Sequence, residues 1–124
     1  MTESPRTVRN TRSSQERAYQ PIENYGLIGD LHTVALVGMD GSIDFMSFPE
    51  FDSPTIFAAL LDCQNGGYFR LAPILENASG KQIYLPDTNV LLSRFLSREG
   101  VAEISDFMPI EWGPNQRIVR RAKA

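Results

Sequence analysis

The chain has 124 residues, 42% of them apolar and 22% charged, with a formal net charge of −3. That is the size of one ordinary domain and the composition of a globular chain rather than a disordered one. The slightly acidic balance argues against a nucleic-acid partner, which calls for a basic face, and no apolar run approaches the roughly 20 residues that span a bilayer.

Residues 1–18 are rich in Ser, Thr, Arg and Asn and lack apolar periodicity, so they read as a flexible, solvated tail ahead of a domain over residues 19–124. Their basic residues are followed by no apolar stretch, which excludes a secretory signal peptide. With a single cysteine, Cys63, a disulfide framework is also excluded, and the expected location is a reducing cytoplasm.

Strand signals begin with the β-branched, apolar run Thr33-Val34-Ala35-Leu36-Val37. They continue in Ile43-Asp44-Phe45-Met46-Ser47-Phe48, where apolar and polar residues alternate with period two. Met39-Asp40-Gly41-Ser42 separates them, and Asp-Gly between such runs predicts a hairpin. A short helix is expected next. Ser53 is placed to cap it, Pro54 suits its first turn, Ile56, Phe57, Leu60 and Leu61 share one face, and Asn65-Gly66-Gly67 ends it.

The remainder reads as strands over residues 68–72, 82–85, 90–96 and 101–108, the last two joined tightly through Arg98-Glu99-Gly100. The expected fold class is therefore mainly β, an antiparallel β-sandwich with one short helix inserted. Arg117-Ile118-Val119-Arg120-Arg121 starts a further strand close to the C-terminus. An unpaired final strand is either an edge blunted by its own charges or the sign of a fold that continues, and the second is the expectation here.

No complete catalytic constellation is visible. His32 is the only histidine, so any Ser-His-Asp or Cys-His relay would have to run through it; beside Asp30, it reads as a structural residue. One His and one Cys are too few for a zinc site, and Cys63 reads as a buried, inert thiol. Asp40, Asp44, Glu50 and Asp52 are close in sequence. Asp40 to Asp44 lacks the full ligand series of a calcium loop, and turn duty accounts for Asp40 and Asp52. No catalytic residue, metal or cofactor is expected.

Several ordered motifs carry a family resemblance. They are Tyr25-Gly26-Leu27-Ile28-Gly29-Asp30-Leu31-His32-Thr33-Val34-Ala35-Leu36-Val37, Asp40-Gly41-Ser42-Ile43-Asp44-Phe45, and Pro49-Glu50-Phe51-Asp52-Ser53-Pro54-Thr55-Ile56-Phe57-Ala58-Ala59-Leu60-Leu61. Tyr84-Leu85-Pro86-Asp87-Thr88-Asn89-Val90-Leu91 and Asp106-Phe107-Met108-Pro109 follow in the same order. Together they resemble the N-terminal domain of trehalase-like and glucoamylase-like enzymes of glycoside hydrolase family 15. Phe45 stands where the family often has tryptophan, and Ser47 where cysteine is frequent.

The resemblance implies a β-sandwich followed by a barrel of paired helices. That barrel supplies one glutamate as general acid and another as general base for hydrolysis of α-glucosides, trehalose or malto-oligosaccharides, with inversion. Such chemistry holds its carboxyl groups roughly 6.5–9.5 Å apart, and nothing in this chain resembles the barrel. Its role would be to brace that barrel as partner. The loop over residues 48–54, with Pro49, Phe51, Asp52 and Ser53, is the segment expected near the sugar. The alternative is a stand-alone, non-catalytic β module that binds carbohydrate or a partner protein through a sheet edge.

Overall fold

The computed structural model describes residues 19–111 and 113–124, and the expected tail over residues 1–18 lies outside them. Among the described residues nine strands follow in chain order: β1 (Tyr25–Gly29), β2 (Val34–Gly38), β3 (Ser42–Ser47), β4 (Thr55–Phe57), β5 (Phe69–Arg70), β6 (Ser79–Tyr84), β7 (Leu91–Ser97), β8 (Gly100–Phe107) and β9 (Val119–Lys123). Single turns of 3₁₀ helix cover Ile22–Asn24 and Gly113–Asn115. The first sheet runs β1-β2-β3-β4 with β5 also on β3, the second runs β6-β7-β8-β9, and every pairing is antiparallel.

The two sheets close on one core. Ile28, Ala35, Val37, Ile43 and Met46 come from the first sheet, Leu91 and Met108 from the second strand group, with Phe48, Phe57 and Ile118 packed against them. Each fully buried aliphatic side chain contributes about 1.5–3 kcal/mol by leaving water. The chain is the β-sandwich that the strand pattern implies.

The Asp-Gly hairpin is where the sequence places it. Asp40 Oδ1 accepts hydrogen bonds from the backbone and hydroxyl of Ser42, and Gly41 N–H closes the turn on Gly38 O at 3.0 Å. Gly41 sits at φ +86°, and a Cβ there would fall 2.2 Å from Leu71 O, so no other residue fits. Ser97 pairs with Gly100 across the expected tight β7–β8 connection.

The expected helix does not form. Thr55–Phe57 is instead a strand on the free edge of β3, with Met46 opposite Phe57 and Ser47 opposite Thr55, and turns follow it. Two forces override the helical pattern. An isolated helix of about two turns is marginal, whereas β3 offers open backbone partners to a β-branched pair, Thr55-Ile56. The supposed apolar face is divided accordingly, with Phe57 half-buried and Ile56 and Leu61 exposed. Asp62 organises the turn beyond, accepting from Gln64 and Asn65 N–H. Cys63 is half-buried rather than buried, its N–H reaching Tyr19 Oη at 3.4 Å.

Candidate functional site

Antiparallel strands send alternate connections to the same end of a sheet. The β1–β2, β3–β4, β6–β7 and β8–β9 connections all emerge at one end of this sandwich, and side-chain amides tie them together. Asn89 Nδ2, between β6 and β7, donates to Gly29 O and Met108 O, both at 3.3 Å. Gln116 Nε2, between β8 and β9, donates to Asp30 Oδ2 at 3.0 Å and to Pro49 O at 2.7 Å.

Asp30 is the hub, fully buried. Its Oδ1 accepts from His32 N–H (2.9 Å) and Thr33 N–H (3.0 Å), so both carboxylate oxygens are engaged. Burial acts most strongly and favours the protonated form. The two backbone N–H groups, the Gln116 amide and the neighbouring His32 together outweigh it, and the carboxyl titrates below its ordinary value of 3.8. The tight turn that Asp30 closes leaves Leu31 at φ +75° with 80% of its surface exposed. Left-handed backbone at a leucine costs of order 1–3 kcal/mol, and an exposed side chain returns none of it to the core.

The loop over residues 48–54 is braced on this hub. Phe51 N–H donates to His32 O at 3.0 Å, and Thr33 Oγ1 donates to Ser47 O just before the loop. Glu50 N–H donates to Ser53 Oγ and Ser53 N–H to Glu50 O. His32 Nδ1 lies 3.6 Å from a Glu50 carboxylate oxygen. The Phe48–Pro49 peptide is cis. The hydrogen bonds pin the backbone while the tip stays open: Pro49, Phe51 and Asp52 are exposed, Phe51 by 61%.

Of the sequence-derived candidates, Pro49, Phe51 and Asp52 lie together on this end. Ser53 adjoins them, but its hydroxyl closes a local turn and caps no helix. Glu50 shares their loop, whereas Asp40 and Asp44 are elsewhere. Asp40 precedes β3 and Asp44 lies within it, whereas Glu50 and Asp52 follow it, and the six residues of β3 span roughly 20 Å. Asp40 is held ionised, burial being outweighed by Ser42, Gln20 and Arg70. Asp44 is buried and accepts from Tyr25 Oη at 2.5 Å. Among the described residues no three His, Cys, Asp or Glu side chains group to hold a metal, and no helix is long and apolar enough to cross a membrane.

Leu31, Ile110 and Gln116 complete this end and were not singled out by sequence reasoning. Ile110 is 59% exposed beside the β6–β7 loop. The Asp30-Leu31-His32-Thr33 spacing, an acceptor two and three residues before the N–H groups it takes, was the available signal for the hub. Gln116 gave none, since its partner Asp30 is 86 positions away.

Fold and loop end define an antiparallel β-sandwich module with one braced, partly apolar end. Residues 9–122 match the family model for the trehalase-like N-terminal domain, and the chain belongs to that family. Trehalase 1 of Sulfolobus acidocaldarius is 47% identical over 98 residues, covering 79% of this chain and 16% of the relative. The trehalase of Thermoplasma volcanium is 37% identical over 93 residues, 73% of this chain and 15% of that protein. That of Mycobacterium tuberculosis is 28% identical over 114 residues, 92% of this chain and 16% of that protein. The chain therefore spans about one sixth of the relatives it matches. No solved structure matches it.

Proposed function

We propose that this chain is the N-terminal β domain of a trehalose-hydrolysing enzyme, contributes no catalytic acid or base itself, and turns its loop end toward a catalytic domain and its sugar pocket. The observation that carries the reading is the family membership, together with relatives that are all trehalases and are matched over only 15–16% of their length. Trehalose is favoured over malto-oligosaccharides as substrate because of those names. Catalysis with inversion falls to paired glutamates of a helical barrel, and the location proposed is the cytoplasm.

Physical chemistry supports the loop end as the side turned to that partner. An exposed aromatic ring and a carboxylate on rigid backbone are a common way to hold a sugar, the ring against its C–H face and the carboxylate on its hydroxyls. Leu31 and Ile110 supply apolar surface around them, of the kind that packs against a neighbouring domain.

A domain exchange tests this. The matching N-terminal segment of the Sulfolobus acidocaldarius trehalase 1 is replaced by residues 19–124 of this chain, and glucose release from trehalose and maltose is measured. The expected result is trehalose hydrolysis by the exchanged enzyme and none by this chain alone. Glucose release by the isolated chain above a blank would overturn its non-catalytic role. An inactive but folded exchange product that binds trehalose only through this chain would favour a stand-alone carbohydrate-binding module.

A further inference from the structure

The tip of the 48–54 loop belongs to the first sheet, yet one of its restraints comes from the second. Gln116 follows the 3₁₀ turn Gly113–Asn115 on the way from β8 to β9. Its amide nitrogen spends both hydrogens on the first sheet's loops, one on Asp30 Oδ2 and one on Pro49 O. Both partners are acceptors, so only the nitrogen of that amide can face them.

Through Asp30 the amide holds the His32 and Thr33 N–H turn, and His32 O in turn receives Phe51 N–H. Through Pro49 it holds the same loop two residues before Phe51. One side chain thus fixes the loop from both directions. The side chains of Phe51 and Asp52 make no hydrogen bond or ion pair among the described residues, so no polar contact of their own holds them in place.

We infer that Gln116 is a positioning residue for this end of the sandwich: its two hydrogen bonds, from the second sheet to Asp30 and Pro49 of the first, set the geometry in which Phe51 and Asp52 are presented. The inference rests on the proposed sugar-facing role for its functional meaning, but its structural content stands apart from that role. A glutamine in this place does what neither glutamate nor methionine, of similar size, can. Glutamate would set an anion against a carboxylate and a carbonyl, and methionine would leave both acceptors without their donor.

Amide hydrogen exchange on the full chain, followed by NMR, is the direct test. Gln116→Met and Gln116→Glu are compared with the unaltered protein at pH 7. The expected result is exchange about tenfold faster at Phe51 and Thr33 in both variants, the scale of losing one or two hydrogen bonds. Amides in the β7–β8 ladder keep their rates. Unchanged exchange at Phe51 in either variant, or an equal acceleration throughout the ladder, would overturn the inference, the latter because it reports general destabilisation.

The exchanged enzyme then separates the two readings. There Gln116→Met is expected to raise KM for trehalose several-fold, as Phe51→Ala does, with none of the loss restored when the variant is assayed well below its Tm. If Phe51→Ala impairs the enzyme and Gln116→Met does not, the positioning role is wrong while the sugar-facing role survives. If neither matters although the exchange arm succeeds, the sugar-facing role is the one lost.

Discussion

Arg120 on β9 grips Asp106 on β8 with two hydrogen bonds, Nε to Oδ1 at 2.6 Å and Nη2 to Oδ2 at 3.2 Å, and both side chains are buried, Asp106 completely. The same guanidinium crosses to the other sheet. It donates to Gly41 O at 2.7 Å and Phe69 O at 3.3 Å, and it lies 5.3 Å from the centre of the Phe69 ring. Burial pushes the Asp106 carboxyl above its ordinary value, and Arg120 offsets only part of that. A carboxylate so placed depends on its cation.

Arg120→Met should therefore destabilise the chain by about 3–5 kcal/mol, the usual result of leaving one partner of a buried pair alone. The double change Arg120→Met with Asp106→Leu should recover most of the loss. Urea unfolding of the single and double variants measures both. A single variant within about 1 kcal/mol of the unaltered chain would show that water reaches Asp106, and the clasp would not be what holds the sheets together.

A second cross-sheet contact guards an edge. Tyr84 Oη, at the end of β6, accepts from Leu27 N–H at 2.9 Å and donates to Leu27 O at 2.7 Å. One phenol thus occupies a whole rung of β1, the outermost strand of the first sheet, as a neighbouring strand would. Tyr84→Phe should cost about 1 kcal/mol and open that rung to another chain. Sedimentation velocity across a concentration series is expected to show self-association in the variant at concentrations where the unaltered chain sediments as before.

Where a structural decision was local, the residues announced it. Asp40-Gly41 specified its hairpin because only glycine tolerates the left-handed turn pressed against Leu71. Period-two alternation in residues 43–48 marked β3, which packs into the core. Residues 53–64 misled for the converse reason. Their helical spacing was genuine, but the vacant edge of β3 is a tertiary fact that no local pattern carries. The site divides the same way. Pro49, Phe51 and Asp52 were legible as a stiff loop with an aromatic and a carboxylate. The clamp through Gln116, and the fully buried state of Asp30, depend on two sheets meeting and left no trace in spacing.

Asp30 makes the loop end sensitive to acid. Its folded pKa lies below the ordinary 3.8, so the ionised form is the one the fold prefers. The stability it contributes is present above pH 3.8 and is lost as pH falls through the lower, folded value. Asp106 has the opposite sign, since its raised pKa favours the protonated form. Comparing the unaltered chain with Asp30→Asn cancels Asp106, which both contain. The Tm difference between them should be largest near pH 5–6, where Asp30 is ionised folded or unfolded, and should shrink below pH 3.8. A difference that is flat or growing on acidification would mean that the hydrogen bonds to Asp30 do not outweigh its burial.

Phe51 and Asp52 separate function from stability, because neither is buried. Substitutions at exposed positions of this kind stay within about 0.5 kcal/mol, so Phe51→Ala and Asp52→Ala should unfold in urea like the unaltered chain. In the exchanged enzyme the same changes should weaken turnover of trehalose. Phe51→Ala removes a stacking surface of about 0.5–1.5 kcal/mol, a several-fold to roughly tenfold effect on kcat/KM. Asp52→Ala removes a hydrogen-bonding carboxylate and should act at least as strongly, with Asp52→Asn intermediate because it keeps an acceptor oxygen. The opposite pattern, a lowered Tm with turnover intact, would make residues 48–54 a structural turn and move the contact with the catalytic domain elsewhere on the sandwich. The intermediate Asn variant decides the chemistry. If Asn behaves like Ala, charge is what the pocket requires; if it behaves like Asp, the acceptor geometry alone suffices.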